Sequence, residues 1–143
     1  MVAMALLDDL KKITVQFEDG WTARETFSKD WPKARDERLR EECDAFVAFI
    51  NGLGKSWRAD YSHDDTARVL TLAILPDAKP YLSLRFEPDF ARLIVRVIMS
   101  PSNFQPSEYS LDGLDSGAID DKIKTFYSRF VNSILENFPR WPH

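Results

Sequence analysis

SWRADY (56–61), ARVLTLAIL (67–75), PYLSLRFE (80–87) and ARLIVRVIM (91–99) alternate apolar and polar residues, four successive runs with the period of extended chain. Ser62-His63-Asp64-Asp65, Pro76-Asp77 and Pro88-Asp89 separate them with turn-forming chemistry. The pattern predicts a four-stranded antiparallel meander. Its core face collects Trp57, Ala59 and Tyr61, then Leu70, Leu72 and Ile74, then Leu82, Leu84 and Phe86, then Leu93, Val95, Val97 and Met99.

The second face reads Val69, Thr71, Ala73 and Leu75, then Tyr81, Ser83, Arg85 and Glu87, then Arg92, Ile94, Arg96 and Ile98. It is too apolar for a fully wetted surface and too charged for a core. A cover is therefore expected: the N-terminal helix, a second copy of the chain or another partner. Keeping both apolar sets of the last two strands on one face restricts their pairing to residue numbers with an odd sum. A sum of 177 sets Arg85 opposite Arg92, whereas 179 sets Glu87 there. Opposed like charges destabilise a sheet, so 179 is the expected register.

Helices flank the meander. Leu6, Leu10, Ile13 and Phe17 recur at steps of four, three and four, and Asp19-Gly20 follows, which predicts a helix over 3–18. A hairpin competes, because Ile13, Val15 and Phe17 alternate with Thr14 and Gln16 ahead of Asp19-Gly20; Leu6 and Leu10 favour the helix. Thr22-x-x-Glu25 has the spacing of a capping box and opens a short helical turn. A second helix is expected over 31–52, with Asp30 as N-cap, Pro32 in the first turn and Leu39, Cys43, Phe46, Ile50 and Leu53 as its stripe.

Residues 100–117 form a long loop whose Phe104, Tyr109, Leu111 and Leu114 make it too apolar for a linker, so it should pack. Ile119, Ile123, Phe126, Phe130, Ile134 and Phe138 then mark a helix over 118–138, opened by Asp120-Asp121 and stopped by Pro139. The expected fold class is α+β, one domain over 1–143 with the helices near 31–52 and 118–138 packed on the apolar face. In outline this order is similar to RWD-type interaction domains, but their Tyr-Pro-x-x-x-Pro signature is absent, and Pro101 and Pro106 are spaced differently.

Composition narrows the function. The 143 residues are 44% hydrophobic and 29% charged, which suits a globular core, and the net charge of −4 is opposite to a nucleic-acid footprint. One cysteine cannot form an internal disulfide, so a reducing, cytoplasmic setting is expected. Asp8 and Asp9 interrupt the apolar start before it reaches the length of a signal core, and no run approaches the roughly 20 apolar residues that cross a bilayer.

Candidate chemistry is sparse. Adjacent Ser62, His63, Asp64 and Asp65 cannot converge on one point as a nucleophile, base and orienter must. His63 and His143 are the only histidines and Cys43 is alone, so no metal-ligand spacing is present. Cys43 sits on an apolar stripe, as a small buried hydrophobe does. Asn51-Gly52-Leu53-Gly54-Lys55-Ser56 lacks the upstream glycine of a phosphate loop and follows a helix, so no cofactor is expected.

What remains is a docking surface. Tyr81, Ser83, Arg85, Arg92, Ile94, Arg96 and Ile98 on the second face, with Phe104 and Tyr109 from the loop, suit a mixed-polarity contact with another protein. The expected function is a non-catalytic protein-binding module of adaptor, chaperone or inhibitor type. The alternative is a small-molecule binder or enzyme with a pocket under the 100–117 loop, near Tyr109, Asp112 and Asp115. A homodimer through the second face would bring Arg85 and Arg96 against their own copies, so the first helix is expected to shield part of that face.

Overall fold

The computed structural model describes residues 2–75, 80–101 and 105–137. The fold is α+β: helix α1 (Val2–Ala34), a π-helical turn (Arg35–Leu39) and α2 (Arg40–Gly52) run on without a break. Strands β1 (Trp57–Asp64), β2 (Ala67–Ile74), β3 (Pro80–Asp89), β4 (Ile94–Ser100) and β5 (Ser107–Tyr109) then lead to α3 (Ser116–Glu136). The sheet is an antiparallel meander of order β1-β2-β3-β4-β5, one strand more than the alternation predicts. The extra strand lies inside the expected 100–117 loop, and its three residues, Ser107, Glu108 and Tyr109, are too few to show a period.

The core face is as the alternation predicts. Ala59, Leu70, Leu72, Leu82, Leu84, Phe86, Val95 and Val97 are buried against Leu39, Cys43, Phe46 and Ile50 of the first helical run and Ile119, Ile123, Phe126, Phe130 and Ile134 of α3. Asp115, rather than Asp120-Asp121, opens α3: its carboxylate accepts from Ala118 N at 2.9 Å. The expected stop at Pro139 and the turn at Pro76-Asp77 lie outside the described residues.

Three expectations are corrected. The β3–β4 register has a sum of 183, not 179, and sets Glu87 opposite Arg96. Pro88 and Asp89 belong to β3, and the turn falls at 90–93, where the Asp89 carboxylate accepts from the backbone of Ala91 and Arg92 and Leu93 takes a φ of 60°. A left-handed leucine is rare, so turn chemistry pointed to the wrong residues. β1 likewise extends to Asp64, with a two-residue loop in which Asp65 has a φ of 54°.

The third correction concerns the helices. No break occurs at Asp19-Gly20, Thr22 is not a cap and Asp30 is not an N-cap, because all lie within α1. Glycine inside a helix costs about 1 kcal/mol, and the turns around Gly20 are bridged by local bonds. Arg24 Nη1 donates to Gly20 O at 2.9 Å, Trp21 Nε1 to Glu25 Oε1 at 2.5 Å and Thr26 Oγ1 to Thr22 O at 3.0 Å.

The π turn also has a sequence origin. The buried stripe runs Phe27, Trp31, Ala34, then Leu39, Cys43, Phe46, Ile50. Its steps are four and three except for five between Ala34 and Leu39, which an α-helix would rotate about 140° off the stripe. Wider i→i+5 turns absorb the extra residue and keep one face on the core.

Two polar clamps fix this run to the sheet side. Asn51 pairs with the edge of β1 as a strand would: Ala59 N donates to its Oδ1 at 2.9 Å and its Nδ2 donates to Ala59 O at 3.0 Å. Arg38 Nη1 donates to Leu111 O at 3.1 Å and Leu114 O at 3.0 Å, tying the π turn to the turn before α3.

Candidate functional site

α1 divides into two unlike halves. From Arg24 onward it straps across the turns at one end of the sheet. Arg24 Nη2 donates to Ala91 O at 2.7 Å, Phe27 meets Phe90 edge to face with centroids 5.6 Å apart, and buried Trp31 donates from Nε1 to Thr66 O at 2.9 Å. Before it, every residue from Ala3 to Asp19 is exposed. The stripe expected to lie on the second sheet face does not lie there: Leu6 is 56% exposed, Leu10 47%, Ile13 59% and Phe17 64%. Leu7 and Trp21 widen the same face, and Phe17 and Trp21 stand with ring centroids 6.0 Å apart. Seventeen residues of α-helix span about 25 Å, so this is a projecting arm with an apolar edge.

The second sheet face carries most of its charges already paired. Arg85 bonds Asp64 of β1 and lies 3.8 Å from Glu87. Arg92, at the β3–β4 turn, holds Glu108 of β5 through two bonds of 2.9 Å, and that contact holds its guanidinium pKa above the ordinary value. Arg58 lies 3.4 Å from Asp60. Ser83, Ile94, Arg96 and Ile98 are half-buried, and the Nε of Arg96 is enclosed without a partner. Stems of arginine and glutamate thus cover much of what the alternation left open.

Two residues assigned to this surface are elsewhere. The β2–β3 register shifts between Leu72 and Ala73, so Leu72 faces Leu82 but Ala73 faces Pro80, and Tyr81 falls in the irregularity. Its ring turns to the core side, 5.8 Å from Phe130, and its hydroxyl bonds Ser133 of α3. Tyr109 lies opposite Val95, packs on the core and sits under Lys122 Nζ, 5.9 Å from its ring centroid. Phe104 lies outside the described residues.

The region around β5 offers little to a ligand. A cavity of about 180 Å³ lies between α3 and β3–β5, lined by Leu84, Val97, Met99, Gln105, Ser107, Lys122, Thr125 and Arg129. It is below the ~300 Å³ at which small-molecule sites begin, and among the described residues no carboxylate lines it. Lys122 already donates to Ser107 Oγ at 2.6 Å. Asp115 is committed to the α3 cap.

Other reactive groups are dispersed. Strand alternation sends Ser62 and Asp64 to one face and His63 to the other. Cys43 is fully buried, and burial, with smaller contributions from Asp44 and Glu42, pushes its thiol pKa up to about 12. Such a thiol is inert. Glu42 of α2 shares a hydrogen bond with Asp120 of α3, which with burial raises its pKa to about 6. Among the described residues no three His, Cys, Asp or Glu side chains gather as a metal site requires, and no helix is long and apolar enough to cross a membrane.

Comparison with protein-family models, curated proteins and solved structures finds no match to this chain. The projecting half of α1 is exposed where its periodicity predicts a covered helix. Periodicity marks a face that favours cover and does not say whether the chain itself supplies it.

Proposed function

We propose that this chain is a non-catalytic protein-binding module of adaptor, chaperone or inhibitor type, and that its contact element is the arm formed by the first half of α1. One observation carries the reading: Leu6, Leu7, Leu10, Ile13, Phe17 and Trp21 share one helical face and are each about half exposed or more. A contiguous apolar patch above a few hundred Å² marks a protein or membrane contact site. Charge favours protein. Asp8, Asp9, Glu18 and Asp19 outnumber Lys11 and Lys12 along the arm, the opposite of what an anionic bilayer attracts.

Helix-in-groove recognition uses anchors at such i, i+4, i+7 spacings. The second sheet face is the weaker contact surface, because Arg85 and Arg92 are held by Asp64, Glu87 and Glu108. The same reading places the protein in the cytoplasm, where a chain with a single buried thiol needs no oxidation.

The test compares the wild type with a Leu10→Lys, Phe17→Lys variant in affinity purification after chemical cross-linking, with circular dichroism as the folding control. The wild type should carry at least one cross-linked chain, a second copy included, that the folded variant loses. A variant that keeps every association of the wild type would overturn the proposal.

A further inference from the structure

Resting on that reading, we infer that the arm's occupant is a second copy of itself, paired antiparallel about a two-fold axis that passes between Lys11 and Lys12. Leu6, Leu10, Ile13 and Phe17 are separated by four, three and four residues, a sequence of steps that reads the same in both directions. Reversed on itself, it sets Leu6 against Phe17 of the second copy and Leu10 against Ile13 of the second copy, and the symmetry repeats both contacts. Those steps are also the alternating a and d spacing of a coiled-coil seam. A two-fold contact needs one self-complementary patch, and this stripe meets that condition without any residue outside the arm.

Charge selects the direction. In a parallel pair Asp8-Asp9, Lys11-Lys12 and Glu18-Asp19 would each lie level with their own copies, like beside like. Reversal about residues 11 and 12 sets Asp8-Asp9 level with Thr14-Val15 and Glu18-Asp19 level with Met4-Ala5, all uncharged. Only the lysines still meet, and their positions fall on the side of the helix turned away from the stripe. Antiparallel helices also oppose their dipoles. The sheet and remaining helices, which begin to hold α1 at Arg24, then sit at opposite ends of the paired arms; a parallel pair would force them side by side.

Area is of the required order. The four seam side chains, at about half exposure, present on the order of 400 Å² per copy, with Leu7 and Trp21 at the flanks. Two copies together approach the ~1,000 Å² that separates a specific interface from a casual contact.

Sedimentation of the purified chain over a concentration series, together with pulsed-dipolar distances between spin labels at Met4→Cys, tests this; Cys43, fully buried, escapes the label. The expected result is a monomer–dimer equilibrium, a label separation above about 20 Å from the 1.5 Å rise per residue, and a Kd raised about a hundredfold or more by Leu10→Lys. A chain that stays monomeric at every concentration overturns self-pairing. The wider docking reading then stands only if the arm captures a different protein in an Leu10-dependent manner. A dimer that Leu10→Lys leaves intact, or a label separation near 10 Å from side-by-side parallel helices, also overturns the proposal.

Discussion

Two halves of one helix carry similar apolar stripes and meet opposite fates. Phe27, Trp31 and Ala34 are buried against the sheet's turns, whereas Leu6, Leu10, Ile13 and Phe17, on the same continuous α1, face solvent. Backbone conformation does not distinguish them. The difference lies in what stands opposite: Phe90, Ala91 and Thr66 are within reach of the second half, and among the described residues nothing covers the first half, which is exposed from Ala3 to Asp19. Amphipathicity is a property of the helix, and burial is a property of the assembly.

The largest effect should separate the two halves outright. Trp31→Ala removes a fully buried indole and its bond to Thr66 O, and should cost about 3–5 kcal/mol in urea unfolding. Trp21→Ala, measured at a concentration where the arms are apart, should change stability by less than about 0.5 kcal/mol. Comparable losses at both tryptophans would erase the distinction.

A smaller effect tests how the anchored run is clamped. Arg38→Met leaves the carbonyls of Leu111 and Leu114 without their shared donor and should cost about 2 kcal/mol by the same unfolding assay. A neutral result would show that packing at Leu39 and Leu114 holds the π turn alone.

Gly20 stands at the joint between the halves. Gly20→Ala relieves the entropic penalty of glycine in a helix, and its added methyl meets only the end of the flexible Arg24 side chain, at 3.1 Å. Helix content should rise on the arm side by the equivalent of about 0.5–1 kcal/mol, read by circular dichroism and amide exchange. A loss of helix would mean that the joint needs glycine for a bend.

The smallest effect belongs to the packed region. Glu42 has a folded pKa of about 6 against 4.5 when free, because it shares a hydrogen bond with Asp120 and is partly desolvated. The folded state therefore binds more protons than the unfolded state between those values. Its stabilising contribution is present below pH 4.5 and is lost as pH rises through 6. Glu42→Gln should remove that dependence and raise stability at pH 7 by ~0.5 kcal/mol, the scale of partly exposed charge pairs. A variant with the same pH profile as the wild type would contradict the pairing.

Much of the packed region was legible. Alternation at Leu70/Leu72, Leu82/Leu84 and Val95/Val97 identified the strands and their core face, and the stripe from Ile119 to Ile134 identified α3. Register was legible only as a parity, because the β3–β4 turn uses Leu93 at positive φ while Pro88-Asp89, the stronger turn signal, stays in the strand. Alternation alone puts Tyr81 on the second face, because a register shift leaves no mark in a two-residue period. The five-residue step from Ala34 to Leu39 falls inside the helix expected over 31–52, and it is a π turn because no apolar residue stands three or four places after Ala34. The arm's stripe is legible in the sequence and its lack of cover is not, since nothing in Leu6, Leu10, Ile13 and Phe17 records what stands opposite them.

Amide hydrogen exchange across α1, followed as a function of protein concentration, tests the central claim most directly. Residues 3–19 should exchange fast in dilute protein and gain protection as concentration rises, while 24–34 stay protected throughout. Protection over 3–19 that equals that of 24–34 at every dilution would show the arm packed against its own chain, and would contradict this account.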